Sequence, residues 1–244
     1  MRCFKVTVEY DGTDFFGFQY QVGQRSVQEE IERAIEKLTG QAVRVHGAGR
    51  TDTGVHALGQ VIGFRADTRI PVEKVPAAMN SVLPSDISAV EAAEVDENFH
   101  ARFSARSRTY IYVVLNRPQP SAVMRRYCHH YPYTLDVPAM QSAARELIGT
   151  HDFTAWANDV REARNTTRTV LKCSVRRWKE WVLFHMEADA FLRGMVRTVV
   201  GTLLEVGSGK RTPEEMAQIT QSRQRVNAGP SVPARGLCLL RVKY

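Results

Sequence analysis

The chain has 244 residues, 43% hydrophobic and 24% charged, with 33 Lys and Arg against 26 Asp and Glu, a formal net charge of +7. That balance excludes a disordered or low-complexity protein, and no apolar run is long enough to span a bilayer. The basic excess suits a polyanionic partner, because Lys and Arg displace counterions from phosphates.

The opening residues MRCFKVTVEY alternate polar and apolar side chains. They read as a half-buried strand with Phe4, Val6, Val8 and Tyr10 on one face, not as a signal peptide, and the expected compartment is the cytoplasm. YDGTDFFGFQ follows, with Asp-Gly as a turn signal. A helix is then well marked: Ser26 and Glu29 as a capping box, Val27, Ile31, Ala34, Ile35 and Leu38 as the stripe, Gly40 as the stop. AVRVH reads as a strand, and GAGRTDTGVHALGQ runs from it into the strand QVIGFRAD. A short helix spans Ala77 to Leu83, between Pro76 and Pro84. SAVEAAEV and the long FHARFSARSRTYIYVVLN read as strands. From about residue 117, at RPQPSA, the text changes character. A helix from Val137 to Leu147 follows, then a hairpin of RTVLKCSVRRW and WVLFHMEAD around Lys179-Glu180. FLRGMVRTVVGTLLEVGSG reads as one long helix, TPEEMAQIT as a helix capped by Thr212 with Glu215, and GLCLLRVKY as a closing strand. Strands and helices alternate without βαβ regularity. The expectation is an α+β fold of two similar halves, 1–105 and 106–244, with largely antiparallel sheets joined around a central basic cleft.

Within GAGRTDTGVHALGQ, Arg50 and Asp52 are two apart and share a side of an extended segment. A carboxylate held in a glycine-rich loop can be a nucleophile or a base, or an aspartate satisfying its own turn. Asp52 with His46 and His56 could instead suggest a metal or histidine-assisted site, but no HExxH, GxSxG or Walker pattern is present. Cys3, Cys128, Cys173 and Cys238 form no CxxC pair, so reduced and mostly buried thiols are expected. Tyr110 and Tyr112 share a strand face with Arg106 and Arg108. Such faces stack bases in RNA binders, and the same pattern arises in cores. Arginine also sits beside aromatics in VMRRY and SVRRW. Arg197 lies in an apolar helix four residues after Arg193. It either snorkels or pairs with a buried carboxylate, for which Asp52 is the candidate.

Together these segments resemble the tRNA pseudouridine synthase A family over essentially the whole chain. GAGRTDTGVHALGQV carries the resemblance, supported by YDGTDFFGFQYQ, ARSRTYIY, FLRGMVRTVVG and GLCLLRVKY. The chain departs from the family's usual residues at Phe18, Arg193, Thr198 and Val232-Pro-Ala. The resemblance implies the pseudouridine synthase fold and isomerisation of uridine to pseudouridine in the tRNA anticodon stem–loop, at uridines 38, 39 and 40 of the tRNA. It implies a homodimer with no metal and no nucleotide or other cofactor. Asp52 is then the catalytic aspartate, Arg197 its partner, Arg50 the holder of the everted nucleotide's place, Tyr110 the stacking residue and Leu237 a pocket wall. Asp52 could attack C1′, abstract the 2′ proton or add to C6; the base for the final C5 proton is Asp52 or Tyr110.

Overall fold

The computed structural model describes residues 1–161 and 165–244 and divides into two compact units. The first comprises Met1–Arg106 and Cys238–Tyr244, the second Ser107–Leu237. The closing strand therefore returns to the first unit.

In the first unit, β1 (Arg2–Tyr10) is central. It pairs antiparallel with β3 (His56–Ala66), Val6 opposite Ile62, and with β4 (Ile87–Glu94). β10 (Leu237–Lys243) adds to β3 in parallel, Cys238 opposite His56. The alternation read from the sequence holds: Phe4, Val6, Val8 and Tyr10 are buried, and Phe4 stacks on Phe64 with ring centroids 5.3 Å apart. Helix α1 (Val27–Thr39) starts at Ser26, whose hydroxyl accepts from the Glu29 amide at 3.3 Å, and ends on Gly40 in the left-handed region. Its Ile31 and Ile35 are fully buried, about 1.5–3 kcal/mol each. The Glu29 carboxylate does not complete a capping box; it takes Arg33 one turn on, at 2.7 Å.

Several expected boundaries shift. AVRVH is not a strand: only His46–Gly47 pairs with β3, as the short β2. Helix α2 is Val75–Asn80, starting earlier than Ala77 because proline suits a first turn. FHARFSARSRTYIYVVLN is two things. Residues 98–106 form turns tied by Ser104 and His100, and β5 begins only at Ser107.

In the second unit, β5 (Ser107–Leu115) pairs with β9 (Trp181–Ala188), β9 with β8 (Thr167–Trp178), and β8 with β7 (Gly149–Asp152), all antiparallel. The short β6 (His129–His130) adds to β5 in parallel. The Lys179-Glu180 hairpin is as expected, with Lys179 at φ 54°. Helix α3 (Val137–Arg145) is capped by the Asp136 carboxylate, whereas α5 (Glu215–Ser222) starts at Glu214 without a side-chain cap: Thr212 does not cap it, and only the Glu215 carboxylate reaches back to the Thr212 amide at 2.8 Å. The long helix is shorter than read: α4 is Met195–Gly207. Gly194 adopts φ 73°, a left-handed conformation that stops any helix from Phe191 running through it. Arg193 thus lies outside α4 and does not share its face with Arg197; its carbonyl accepts from the Asn158 amide at 2.9 Å. Cys128 and Cys173 are buried and Cys3 and Cys238 partly exposed, all reduced. No helix among the described residues is long and apolar enough to cross a membrane.

Candidate active site

The loop between β2 and β3 carries Arg50, which is exposed, and Asp52, which is half-buried. Its backbone is fixed from three sides. Thr51 points inward, and its hydroxyl lies 2.8 Å from the buried Tyr10 hydroxyl. Gln60 donates to the Gly49 carbonyl at 2.8 Å and approaches the Tyr10 hydroxyl at 3.4 Å. The Val55 amide closes a turn on the Asp52 carbonyl at 3.1 Å. Thr51 is therefore an anchor of the loop, while Thr53 is exposed. Burial pushes the Tyr10 phenol pKa up, so it stays a neutral hydroxyl. Tyr10→Phe is expected to strand the Thr51 hydroxyl and one Gln60 proton and to cost about 1–3 kcal/mol, measured as a shift in the urea midpoint.

The segment YDGTDFFGFQ, read from sequence only as a turn, is the buttress of this loop. The Phe18 amide donates to the Thr51 carbonyl at 3.0 Å, and the Gly54 amide to the Phe15 carbonyl at 3.4 Å. The Gly12 amide donates to His56 Nδ1 at 3.0 Å. Asp11 Oδ1 lies 3.1 Å from the same nitrogen. One ring nitrogen cannot serve both, and Asp11 Oδ1 already accepts from the Thr13 amide at 3.0 Å and its hydroxyl at 2.5 Å. His56 is buried and packs the loop from beneath. His46 is exposed and faces His100 ring to ring at 5.1 Å. No three His, Cys, Asp or Glu side chains among the described residues group as a metal site requires. Phe18, one of the departures, is part of the core beneath the loop. Its ring lies buried under Gly47, 2.5 Å from where a Cβ there would stand.

In the second unit, Tyr110 is 7% exposed and meets Phe191 edge-on at 5.0 Å. The basic, aromatic strand face read from the sequence is a core face from Arg108 on, Tyr110 included, while Arg106 is exposed and lies before β5 begins. Tyr112 is fully buried and donates to the Pro233 carbonyl at 2.8 Å. Arg108 is buried too, and its guanidinium donates to the Asp189 carbonyl at 2.7 Å. Arg197 is half-buried on α4, where Nε donates to the Val232 carbonyl at 2.7 Å. The Val232 amide returns a bond to the Arg197 carbonyl at 3.3 Å. The two residues that depart from the expected pattern here, Thr198 and Val232, therefore hold one segment. Thr198 Oγ1 lies 2.9 Å from Ser231 Oγ and 3.3 Å from Asn158 Oδ1, so the strap 227–232 is laced to α4 at the level of Arg197. Leu237 is buried, just after Gly236, which packs against the Tyr112 ring. Sequence reading missed Asn158 and Ser231, because neither belongs to a periodic pattern.

A profile of the family described as tRNA pseudouridine synthase matches residues 6–104 and 143–244. Among curated proteins, the chain is 46% identical over 244 residues to tRNA pseudouridine synthase A of Thermoanaerobacter sp. (strain X514), covering 100% of both chains. It is 46% identical over 246 residues to the protein of that name from Moorella thermoacetica, again covering 100% of both. It is 43% identical over 244 residues to that of Caldicellulosiruptor bescii, also at 100% coverage of both.

Proposed function

Since the chain belongs to the tRNA pseudouridine synthase family, we propose that Asp52 is the carboxylate with which it isomerises uridine to pseudouridine in the tRNA anticodon stem–loop. The reaction breaks the N1–C1′ bond, turns the uracil, forms a C5–C1′ bond and removes the C5 proton. Substrate and product are isomers, so no oxidant or co-substrate is consumed. The observation that carries the reading is the loop itself. Thr51, Gln60 and the 11–18 segment hold its backbone, while Asp52 and Arg50 are left at or near solvent. A preorganised carboxylate presented to a macromolecular substrate is what this chemistry needs.

A stacked target base must be turned out, at about a few kcal/mol. Arg50, exposed on the same loop, is assigned the task of filling the vacated place. Tyr110 is assigned the stacking face for the everted uracil, and Leu237 a wall against which it rests. Arg197 is assigned the role of the cation that keeps the reacting carboxylate ionised. The three routes by which Asp52 can begin, at C1′, at the 2′ proton or at C6, all require that ionised form. A homodimer, work in the cytoplasm and turnover without metal or cofactor complete the proposal.

The test is incubation of the protein with undermodified tRNA carrying 5-tritiated uridine, in EDTA. Tritium release with an intact RNA chain is expected; cleavage of the RNA, or no release, would overturn the reading. Tyr110→Phe keeps the ring, and Tyr110→Ala removes it. The alanine variant is expected to bind tRNA within about threefold of wild type and to lose about a hundredfold in kcat, near the upper range of base–aromatic stacking. Loss of binding alone would make Tyr110 a contact residue only.

A further inference from the structure

Outside the Asp52 loop, the first unit carries a second cluster of aromatic and basic side chains. His46 on β2 faces His100 at 5.1 Å, and His100 faces Phe103 at 4.4 Å with a 36° tilt. The outer ring, Phe103, is 76% exposed. An exposed phenylalanine continuing a ladder of rings adds nothing to a core, so folding does not account for it. The ladder is fixed in place. His100 Nδ1 accepts from the amides of Arg102, at 3.1 Å, and Phe103, at 3.4 Å, and its own amide donates to Ser104 Oγ at 3.1 Å. Burial, and then the neighbouring His46, hold the His100 imidazole below its ordinary pKa, so the middle rung is a neutral flat ring near pH 7. Beside it opens a cavity of about 420 Å³ whose walls include His46, His100, Phe99, Arg44 and Arg65. That volume lies in the range of small-ligand pockets. The Arg102 guanidinium sits 5.7 Å over the Phe103 ring. Arg65 donates to the Glu97 carbonyl, which satisfies a donor without cancelling its charge. Arg44 reaches Glu32 only at 3.5 Å and is 58% exposed.

A run of stackable rings bordered by guanidinium groups matches an unpaired base with its flanking phosphates. An apolar protein partner would desolvate the exposed Arg44 and Arg65 guanidinium groups, a cost that flanking phosphates offset. The cluster is also separate from the catalytic loop. His46 stands opposite Gly63, whereas Thr51, next to Asp52, bonds Tyr10 at the level of Ala57, six residues or about 20 Å along the strand at the usual rise. One nucleotide cannot occupy both places.

We propose that the His46–His100–Phe103 ladder, with Arg44, Arg65 and Arg102 around it, is a second RNA contact on which an unpaired base of the tRNA, other than the target uridine, stacks. This rests on the reading that tRNA is the substrate. The contact raises affinity without entering the chemistry, so its signature is a change in Kd at constant kcat.

The experiment measures filter binding of an unmodified tRNA transcript and tritium release at saturating tRNA for wild type, His46→Ala, Phe103→Ala and Phe103→Trp. Each alanine variant is expected to weaken binding about tenfold while keeping kcat within twofold, the scale of one lost base–aromatic stack. Tryptophan at residue 103 restores binding, because it restores a π-face. Arg65→Gln is expected to lower the slope of log K against log salt by about 1, as loss of one phosphate contact does. Unchanged binding in both alanine variants would overturn the proposal, as would Phe103→Trp being as weak as Phe103→Ala, or a fall in kcat at constant Kd. The two readings fail separately. Wild type that releases no tritium but shows these binding differences sinks the isomerase assignment and keeps the RNA contact. Normal release with no binding differences does the reverse.

Discussion

Asp52→Asn is expected to fold, to bind tRNA as tightly as wild type and to release tritium at least about a thousandfold more slowly, as loss of the reacting group does in enzymes that use one. Asparagine has nearly the shape of aspartate. The contacts that set the loop run elsewhere, through the Asp52 carbonyl to the Val55 amide, the Thr51 carbonyl to the Phe18 amide and the Thr51 hydroxyl to Tyr10. The backbone of the loop should therefore keep its path in the variant, which retained tRNA affinity reports. What the amide lacks is charge. It cannot displace the base at C1′, take the 2′ proton or add to C6, so all three routes fail together. Wild-type release from Asp52→Asn would exclude the carboxylate from every one of them. Slow release accompanied by an equal loss of tRNA affinity would show that Asp52 holds substrate without acting on it.

The sequence made some of this legible and hid the rest for physical reasons. Period-two burial in β1 and the capped, apolar-striped α1 were readable because one face of each meets the core over its whole length. The Asp52 loop was legible as a place of chemistry, since glycines, an arginine and a lone carboxylate crowd into a few residues. What holds the loop was not. Tyr10, Thr51 and Gln60 are far apart in sequence and meet only because β1 and β3 pair. The helix boundary at Gly194 was missed because apolar spacing continues through Phe191 and Leu192, and one left-handed residue outweighs it. Arg108 and Tyr112 have the letters of an RNA-binding strand, yet both are buried. Strand parity tells which residues share a face but not which face meets water. The His46–His100–Phe103 ladder had no local signal, because residues 98–106 read as the start of a strand and formed turns instead.

The 11–18 segment gives the sharpest test of how the loop is held. At Gly12, a methyl group would overlap the carbonyl oxygen of Val55. That oxygen is backbone, and the Val55 amide closes the turn on Asp52, so nothing there can swing aside. The same glycine's amide donates to His56 Nδ1 at 3.0 Å, which ties it to the start of β3. Gly12→Ala must therefore push the turn that carries Asp52. The expected cost is about 2–3 kcal/mol in urea unfolding, the scale of overpacking a tight site. kcat is expected to fall by about a hundredfold even where the variant is fully folded, since a displacement of about 1 Å at a reacting group is enough. Gly23→Ala is the matched control, in the turn closed by the single bridge between Gln21 and Gln24. Gly23 has φ 73° with nothing within 4 Å of an added methyl, so the substitution meets backbone strain alone. It should lose about 1–2 kcal/mol and keep kcat. If both variants lose stability and only Gly12→Ala loses turnover, the buttress sets the position of the carboxylate. Equal kcat in the two would show that the loop holds its geometry without the 11–18 segment.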